Sequence, residues 1–211
     1  MDFHGYYRWL VIKKYLRIKP SHTSLLDVGC DDGYFLSQTE AALKAGVDLN
    51  PPPVEKQYSP VIKANACYLP FARGTFDTIF AFDIIEHIQD DRAFLKAIVD
   101  VLAEGGTIWL STPSDRFKIF PPFLTKRAHR GWGHVRAGYS AKELWERMPP
   151  GVEVSFRYWN EPFFRTCYLL LRLLDIVSPA LANRAAELCA WLDNMFSEGL
   201  SGHIFAEIRK T

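Results

Sequence analysis

Short apolar runs alternate with amphipathic segments along the first half of the chain. Each run is short enough for a buried β-strand, whereas the segments between them show the apolar spacing of helices. Five strands are predicted in this way, at 25–28, 44–48, 60–64, 75–83 and 107–111. Strands that alternate with helices favour an α/β fold with a parallel sheet and right-handed crossovers.

Four helices are predicted around these strands. Apolar spacing and stop signals give their bounds as 5–18, 34–43, 84–102 and 141–148. The pair Gly105-Gly106 is expected to stop the third helix, since glycine disfavours helix interiors. Ser140, with Glu143 three residues later, is typical of a capping box and predicts where the fourth helix begins.

The C-terminal part combines a predicted hairpin with an apolar insertion. Residues 151–158 alternate apolar and polar side chains, as in a half-buried antiparallel strand, and 203–209 is a predicted closing strand. Between them, 162–199 is nearly apolar and divides into two helices at Pro179. We expect this helical insertion to cap the sheet or the pocket. Two alternatives remain open: a membrane-surface lid, with Arg165 and Arg172 reaching lipid head groups, and a dimer interface.

Size and charge narrow the class of protein further. The 211 residues suffice for one α/β domain, so 1–211 is treated as a single domain that contains the insertion. The net charge is +1, with 25 Lys and Arg against 24 Asp and Glu. This balance predicts a small-molecule acceptor and no nucleic-acid partner, because nucleic acids are bound through basic surfaces.

Cysteines, the N-terminus and hydropathy favour a cytoplasmic protein. The four cysteines show neither a Cys-x-x-Cys pair nor metal-site spacing, which is typical of reduced thiols. No metal is expected, because no cluster of His, Cys and acidic residues has ligand spacing. The N-terminus lacks the apolar core of a signal peptide, and no charge-free apolar segment reaches membrane-spanning length.

A glycine-bearing turn follows the first predicted strand. In the run Leu-Leu-Asp-Val-Gly-Cys-Asp-Asp-Gly-Tyr-Phe, Gly29 and Gly33 bracket a polar turn that leads into a helical segment. Strand, turn and helix in this order are typical of sites for anions and polar cofactors. Asp31 and Tyr34 stand where a dinucleotide fingerprint needs its second and third glycines, and the Gly-Lys-Ser/Thr of a P-loop is missing.

The turn resembles motif I of the class I S-adenosylmethionine (SAM)-dependent methyltransferases, Asp-x-Gly-x-Gly-x-Gly. Asp27, Gly29 and Gly33 match this motif, and Asp31 replaces its middle glycine. Asn-Ala-x-x-Leu-Pro-Phe, Phe-Asp, Glu-His-Ile, Leu-x-x-Gly-Gly and Ser-Thr-Pro then follow in the order typical of the small-molecule members, between 25 and 144. The resemblance implies a Rossmann-like, seven-stranded, mostly parallel sheet with an antiparallel last strand, and SAM (S-adenosyl-L-methionine) as the cofactor.

The resemblance also implies a cofactor pocket. Asp48, at the end of the second predicted strand, has the position of an acidic residue that binds both ribose hydroxyls. Asn65 stands where the family usually has Asp, and its amide oxygen can accept the adenine amino group. The predicted pocket residues are Asp27, Gly29, Cys30, Asp31, Gly33, Asp48, Leu49, Asn65, Ala66 and Asp83.

Methyl transfer to a hydroxyl or thiol needs a base, and two histidines are candidate catalytic residues. His87 follows the fourth predicted strand, and His134 lies in the loop after the fifth, where related enzymes carry a similar stretch. A purely structural role remains open for each of them. Arg136, Tyr139 and Tyr6 are the predicted substrate-binding residues.

The predicted function is methyl transfer from SAM to an oxygen or nitrogen of a small molecule, including a sugar- or lipid-linked one. The basic segment 116–136 favours an anionic acceptor, because arginine suits carboxylates and phosphates. A methyltransferase-like binding or scaffolding protein without catalysis is the first alternative, supported by Asp31 and Asn65. The second alternative, an RNA methyltransferase, is disfavoured by the near-neutral charge.

Overall fold

The computed structural model describes residues 3–14, 16, 24–118, 121–196 and 202–211. Within this part of the chain the strands are β1 (Ser24–Val28), β2 (Leu43–Asp48), β3 (Val61–Lys63), β4 (Phe76–Phe82), β5 (Leu102–Pro113), β6 (Val152–Trp159) and β7 (His203–Lys210). The α-helices are α1 (Phe3–Ile12), α2 (Tyr34–Ser37), α3 (Asp91–Val101), α4 (Thr125–Gly131), α5 (Ala141–Trp145), α6 (Pro162–Val177) and α7 (Pro179–Met195). Short 3-10 turns lie at Val54–Lys56, Ile85–His87 and Pro122–Leu124.

The seven strands form one sheet in the order β3-β2-β1-β4-β5-β7-β6. β1 pairs in parallel with β2 and β4, and the pairs β2–β3 and β4–β5 are also parallel. β7 is antiparallel to β5 and to β6, and the helical insertion lies between β6 and β7 in the chain. The predicted α/β fold class is therefore confirmed. The parallel strands place their carboxyl ends at one edge, where α/β proteins bind ligands.

The chain divides into two compact units, which are described separately below. The sheet unit consists of Ile18–Thr112, Tyr139–Arg157 and Ile204–Thr211. The helical unit consists of Met1–Arg17, Pro113–Gly138 and Tyr158–His203. The treatment of 1–211 as one domain stays a prediction.

The central strands of the sheet unit are mostly apolar and almost entirely buried. In β1, Leu25, Leu26 and Val28 are all fully buried, although successive side chains point to opposite faces. In β4, every residue from Thr78 to Phe82 is buried. Both faces of the sheet are therefore covered here, which explains why these strands appear in the sequence as continuous apolar runs.

The helix after the glycine turn ends at Ser37, so the prediction of a helix over 34–43 is wrong beyond that residue. The hydroxyls of Ser37 and Thr39 donate to the carbonyls of Tyr34 and Phe35, at 2.6 and 2.8 Å. Such local bonds compete with a regular helix and end it early. β2 correspondingly begins at Leu43.

The third predicted helix is also interrupted. A 3-10 turn at Ile85–His87 comes first, and α3 begins only after Asp90, whose carboxylate accepts the Ala93 N–H at 3.0 Å. This bond is an N-cap, which fixes the start of the helix. The prediction of one continuous helix from 84 is therefore wrong.

The glycine pair does not stop this helix, contrary to prediction. α3 ends at Val101, and Gly105 and Gly106 lie inside β5, which is longer than predicted. The pairing register shifts there, because Phe76 pairs with Leu102 whereas Thr78 pairs with Thr107. This shift is a β-bulge. Gly105 has φ +73°, a conformation that residues with a side chain rarely adopt, so glycine allows the bulge to form here.

The remaining predicted elements are present with small changes of bounds. α1 ends at Ile12 rather than at 18, and positions 15, 17 and 18 lie outside the described residues. The capping box of α5 is confirmed: Ser140 Oγ accepts the Glu143 N–H at 3.2 Å, and the Glu143 carboxylate accepts the Ser140 N–H at 2.8 Å. No described helix combines the length and the hydropathy that a membrane-spanning segment needs.

Asp193 connects three helices of the helical unit. Near the end of α7, its carboxylate accepts the N–H groups of Phe163 and Phe164, at 2.8 and 3.1 Å, where α6 begins. The same carboxylate accepts the hydroxyl of Tyr7 from α1 at 2.8 Å. Asp193 thereby satisfies backbone donors that the first turn of a helix leaves unpaired.

Arg8, Glu161 and His203 form a buried charged cluster in the helical unit. Their side chains are at most 5% exposed. His203 Nδ1 lies 2.6 Å from Glu161 Oε1, and His203 Nε2 contacts the Arg8 guanidinium. Burial alone raises the pKa of Glu161, but the charges of His203 and Arg8 outweigh it, and the pKa falls to about 2. The cluster joins α1, the start of α6 and the start of β7.

We predict that Glu161→Gln lowers the free energy of unfolding by about 3 kcal/mol at pH 7, because the ionised carboxylate is stabilised only in the folded state. A carboxyl with a lowered pKa stabilises the fold above its unfolded pKa and loses that effect in acid. The difference from wild type should therefore shrink as the pH falls from about 4.5 towards about 2. Urea unfolding across this range measures it.

Glu153→Gln, at an exposed position of β6, is the matched control and should change stability little at any pH. A deficit of Glu161→Gln that stayed constant down to the acid limit would contradict an ionic origin.

Candidate functional site

A cavity of about 350 Å³ lies in the sheet unit, where β1, β2, β3 and β4 end. Parallel strands bring their carboxyl ends together, so residues that are distant in sequence meet here. The lining residues are Gly29, Val47, Asp48, Leu49, Asn50, Ala64, Asn65, Ala66, Asp83, Ile84, His87 and Ile88.

Gly29 forms the part of the wall that follows β1. Its φ is +77°, and a Cβ at this position would lie 2.5 Å from Ile84 Cδ1, which also lines the cavity. Both the backbone conformation and the space therefore require glycine. The Gly29 and Cys30 N–H groups donate to the Val47 carbonyl at 2.7 and 3.2 Å, which ties the turn to β2.

Asp48 is held in one orientation by two backbone donors. The Asp31 N–H donates to its Oδ2 at 3.0 Å, and the Asn50 N–H donates to its Oδ1 at 2.8 Å. Each carboxylate oxygen can accept a further hydrogen bond. A fixed carboxylate with two accepting oxygens suits a vicinal diol, such as that of a ribose.

Asn65 and its neighbours form the part of the wall after β3. Asn65 Oδ1 accepts the Cys67 N–H at 2.9 Å, so the side chain is fixed by an Asx turn. Ala66 follows directly, and Leu49, which is 56% exposed, adds an apolar contact surface on the same cavity. The amide can hydrogen-bond to the edge of a planar heterocycle, and the apolar side chains can pack against its face.

Asp83 and His87 follow β4. Asp83 adopts a left-handed conformation, with φ +50°. Ser111 fixes it from β5, since the Ser111 hydroxyl donates to Asp83 Oδ1 at 2.9 Å and the Asp83 N–H donates to the Ser111 carbonyl at 2.9 Å. His87 is exposed and ends the 3-10 turn. A carboxylate and an imidazole thus share the wall of the cavity.

Asp27 and Cys30 lie behind the wall and do not line the cavity. Asp27 is 3% exposed, and burial, with the charges of Asp48 and Asp32, raises its pKa to about 8. Its Oδ2 finds no hydrogen-bond partner among the described residues. Cys30 is 8% exposed, and burial, with the charges of Asp27 and Asp48, raises the pKa of its thiol. These two residues shape the turn from inside.

Asp31 and Gly33 are also outside the lining. Asp31 has φ +47°, and its exposed side chain does not fill the cavity. Gly33 has φ +74°, and a Cβ there would approach the Ser59 carbonyl oxygen to 2.9 Å. Gly33 is therefore required by close packing of the backbone, and Asp31 contributes its N–H to Asp48.

Tyr139 is an interior residue of the sheet unit, not a residue of the cavity wall. It is 1% exposed, and its hydroxyl donates to Asp91 Oδ2 at 2.9 Å. Arg147 Nε donates to the same oxygen at 2.7 Å. A fully packed, hydrogen-bonded tyrosine of this kind stabilises the fold, and the predicted substrate-binding role of Tyr139 stays a prediction.

His134, Arg136 and Tyr6 belong to the helical unit. His134 Nδ1 lies 2.8 Å from Nδ1 of His129, so one ring donates and the other accepts. Burial, and secondarily the charge of His203, lowers the pKa of His129. Arg136 is half-buried, and the Tyr6 hydroxyl donates to Glu187. The proposed catalytic and substrate-binding roles of these residues stay predictions.

Several lining residues were not singled out by the sequence. They are Val47, Asn50, Ala64, Ile84 and Ile88. Asn50 lies two residues after Asp48, and Ile84 and Ile88 flank the Glu-His pair, so proximity to a motif was the available signal. Which of these side chains faces the cavity depends on turns that periodicity does not describe.

The cavity wall suits SAM, which combines a ribose, an adenine and a positively charged sulfonium and ammonium group. Asp48 offers accepting oxygens, Asn65 offers an amide, and Asp83 adds a second carboxylate. The sheet unit has 17 Asp and Glu against 12 Lys and Arg, a net charge of −5 that favours a cation. Gly29 keeps the wall clear of a side chain.

The chain belongs to a family of methyltransferase domains, whose model matches residues 4–191. Sequence motifs, sheet order and cavity agree with this membership, which makes it a class I SAM-dependent methyltransferase domain. A SAM-dependent methyltransferase structure from Thermotoga maritima shares the fold, with a TM-score of 0.62 at 16% identity over 100% of this chain and 90% of that one.

The curated relatives are named for different acceptors. A tRNA (carboxymethyluridine(34)-5-O)-methyltransferase of Arabidopsis thaliana is 27% identical over 74% of this chain and 38% of its own length. A ubiquinone biosynthesis O-methyltransferase of Xanthomonas axonopodis pv. citri is 29% identical over 46% of this chain and 45% of its own. The chain spans between 38% and 55% of the length of the first relatives that it matches.

We predict that Gly29→Ala lowers the affinity for S-adenosylhomocysteine about tenfold or more, because the new methyl group and the displaced Ile84 reduce the cavity. Isothermal titration calorimetry measures the affinity. Gly105→Ala is the matched control, since Gly105 has nearly the same φ (+73°) but nothing within 4 Å of the added Cβ. Equal losses in the two variants would show that backbone strain alone is responsible.

We also predict that Asp27→Asn becomes relatively more stable than wild type as the pH rises from about 4 to about 8. The folded carboxyl holds its proton up to about pH 8, whereas the unfolded one loses it near 3.8. The free energy of unfolding of the wild type therefore falls as the pH rises through this range, and the variant lacks this contribution. Urea unfolding at several pH values tests this, with Glu40→Gln as the exposed control; a pH-independent difference would contradict it.

Proposed function

We propose that this domain binds SAM in the cavity of the sheet unit and transfers the methyl group to an oxygen or nitrogen of an acceptor. One observation carries this proposal: Asp48 from β2 and Asn65 from β3 line the same cavity as the Gly29 turn. Side chains suited to the ribose and to the base thus meet beside the glycine that family members carry in motif I.

The chemistry needs alignment and the removal of one proton. SAM supplies an electrophilic methyl carbon: the acceptor lone pair forms the new bond to it as the carbon–sulfur bond breaks, which leaves S-adenosylhomocysteine. The residues of the wall hold the reactants in line, which by itself provides much of the rate. His87 lines the cavity, and we propose it as the group that receives the acceptor proton. His134 stays a second candidate.

The acceptor that we favour is a small anionic molecule, including a sugar- or lipid-linked one. The helical unit carries 13 Lys and Arg against 7 Asp and Glu, a net charge of +6. Six of these basic residues lie between Arg116 and Arg136. Arginine and lysine in such numbers favour phosphate or carboxylate groups.

An RNA acceptor is the second candidate, and the same charge distribution favours it. The net charge of +1 for the whole chain conceals a basic unit and an acidic unit, so the neutral total does not argue against nucleic acid. One relative is named a tRNA (carboxymethyluridine(34)-5-O)-methyltransferase, and others are named tRNA U34 carboxymethyltransferases. Binding of tRNA that weakens steeply with salt, together with methylation of it, would establish this candidate over the first.

The alternative of an inactive, methyltransferase-like binding protein rests on Asp31 and Asn65. Two observations favour retained cofactor binding instead. Asp31 adopts the left-handed conformation that a glycine would take, and its N–H holds Asp48. Its side chain does not occupy the cavity. Intact cofactor affinity without turnover on any acceptor would support the inactive alternative.

We predict that wild-type protein binds S-adenosylhomocysteine and that Asp48→Ala weakens binding about tenfold to a hundredfold, because two accepting oxygens are lost. Calorimetry measures both, and Glu40→Ala, at an exposed position of the sheet unit, serves as the control of equal charge change. Absence of binding to wild type at millimolar ligand would contradict the proposed function.

A further inference from the structure

The outward side of α6 is apolar, which is unusual for a surface helix. Phe164, Tyr168 and Leu171 form its buried side. The side facing away carries Leu169, Leu170, Leu173, Ile176 and Val177, which are 44% to 81% exposed. An ordinary surface helix has polar residues there. This helix is therefore apolar on both sides, as a helix with a second contact surface would be.

α7 adds a second exposed apolar stripe. Its buried side is formed by small residues, including Ala182, Ala186 and Ala190. Leu181, Leu188, Trp191 and Met195 lie on another side, interrupted only by the exposed Arg184 between the first two, and are 52% to 61% exposed. The polar residues Glu187 and Asn194 instead contact Tyr6 and Lys14 of the segment that contains α1. The apolar stripe of α7 therefore borders the side that makes this contact, and its residues stay exposed.

A basic surface occurs in the same unit. Phe123, Lys126, Arg127 and Arg130 are exposed and spaced by three or four residues along the 3-10 turn and α4. Phe123 is 80% exposed. The end of this segment packs against the buried side of α6, since the rings of Trp132 and Tyr168 lie 6.0 Å apart. Basic side chains and exposed apolar ones therefore belong to one packed group of helices.

We propose that the apolar face of α6 and α7 (Leu169, Leu170, Leu173, Ile176, Val177, Leu181, Leu188, Trp191 and Met195) docks onto an anionic lipid bilayer surface. Large aliphatic side chains insert at the boundary between head groups and acyl chains, and tryptophan favours that boundary. The net charge of +6 and the basic side chains of α4 are complementary to anionic head groups.

The same observations disfavour two other occupants. A second copy of the chain would bring two units of charge +6 together across a symmetric interface, and like charges repel. RNA would use the arginines and the exposed Phe123, but it offers nothing to a face of leucine, isoleucine and valine. A lipid surface is complementary to both the charge and the apolar face.

Co-sedimentation with vesicles of phosphatidylcholine and about one third phosphatidylglycerol tests the proposal. We expect wild type to bind and Ile176→Glu/Val177→Glu to bind at least tenfold more weakly, because both exposed side chains would have to carry charge into the bilayer boundary. Val54→Glu is the matched control: Val54 and Val177 are each 80% exposed, but Val54 lies in the sheet unit. It should bind as wild type does.

The charge contribution needs its own variants. Lys126→Ala/Arg127→Ala/Arg130→Ala should weaken binding to the anionic vesicles several-fold and leave weak binding to pure phosphatidylcholine vesicles unchanged. Arg73→Ala/Arg92→Ala, at exposed positions of the sheet unit, should leave both unchanged. Circular dichroism and S-adenosylhomocysteine binding confirm that each variant is folded.

A fluorescence measurement tests the face without adding a charge. Trp191 is 60% exposed, so vesicles should shift its emission to the blue, and Trp191→Phe should remove that shift while still binding. Failure of wild type to bind anionic vesicles, or undiminished binding of Ile176→Glu/Val177→Glu, overturns the proposal. Two other results would also overturn it, in each case with no binding of wild type to vesicles. In the first, the wild type is a dimer and the double variant is a monomer; in the second, the α4 arginines bind tRNA.

Discussion

The hydrogen bond from the Asp31 N–H to the Asp48 carboxylate joins the loop after β1 to the end of β2, and the geometry of the cavity depends on it. The bond requires a left-handed backbone at Asp31 (φ +47°) between two glycines that are also left-handed. The neighbouring Gly29 N–H continues the β1–β2 pairing onto the Val47 carbonyl at 2.7 Å. The loop is thereby fixed against the strand, and the carboxylate at its end keeps one orientation. A ligand that binds there meets a surface that does not need to be ordered first.

The helical unit has a different physical basis. Its segments come from three distant parts of the sequence, and buried polar contacts connect them: Glu161 with Arg8 and His203, and Asp193 with Tyr7 and the start of α6. Buried charges are costly unless they are paired, so these contacts leave few alternative packings of the helices. The interior side of the hairpin is specified in this way. Its outward side carries no such contact and retains exposed leucines, isoleucine and valine.

The two units carry net charges of opposite sign, so the near-neutral net charge of the whole chain does not describe either of them. The sheet unit, which contains the cavity, has a net charge of −5, and the helical unit has +6. An acidic surrounding favours a cationic cofactor, whereas a basic surface favours an anionic acceptor or an anionic lipid surface. A chain with a net charge of +1 can therefore favour a cationic ligand in one unit and an anionic ligand or surface in the other.

The alternation of strands and helices in the sequence predicted the α/β class, and the resemblance to the methyltransferase motifs implied a seven-stranded, mostly parallel sheet and the side chains at its strand ends. Gly29, Asp48, Asn65 and Asp83, which were predicted for the cofactor pocket, line one cavity, because strand ends and left-handed turns have local sequence signals; their contact with the cofactor stays a prediction. Other predicted site residues do not line the cavity. Asp27, Cys30 and Tyr139 are instead buried by packing against residues that are distant in the sequence, and periodicity does not encode such packing. Two element bounds also differ from the prediction. α2 ends early because side-chain hydroxyls bond to its backbone, and β5 continues through the glycine pair because the pairing register shifts there. The separation of charge between the units was likewise invisible in the sequence, since it depends on which segments pack together.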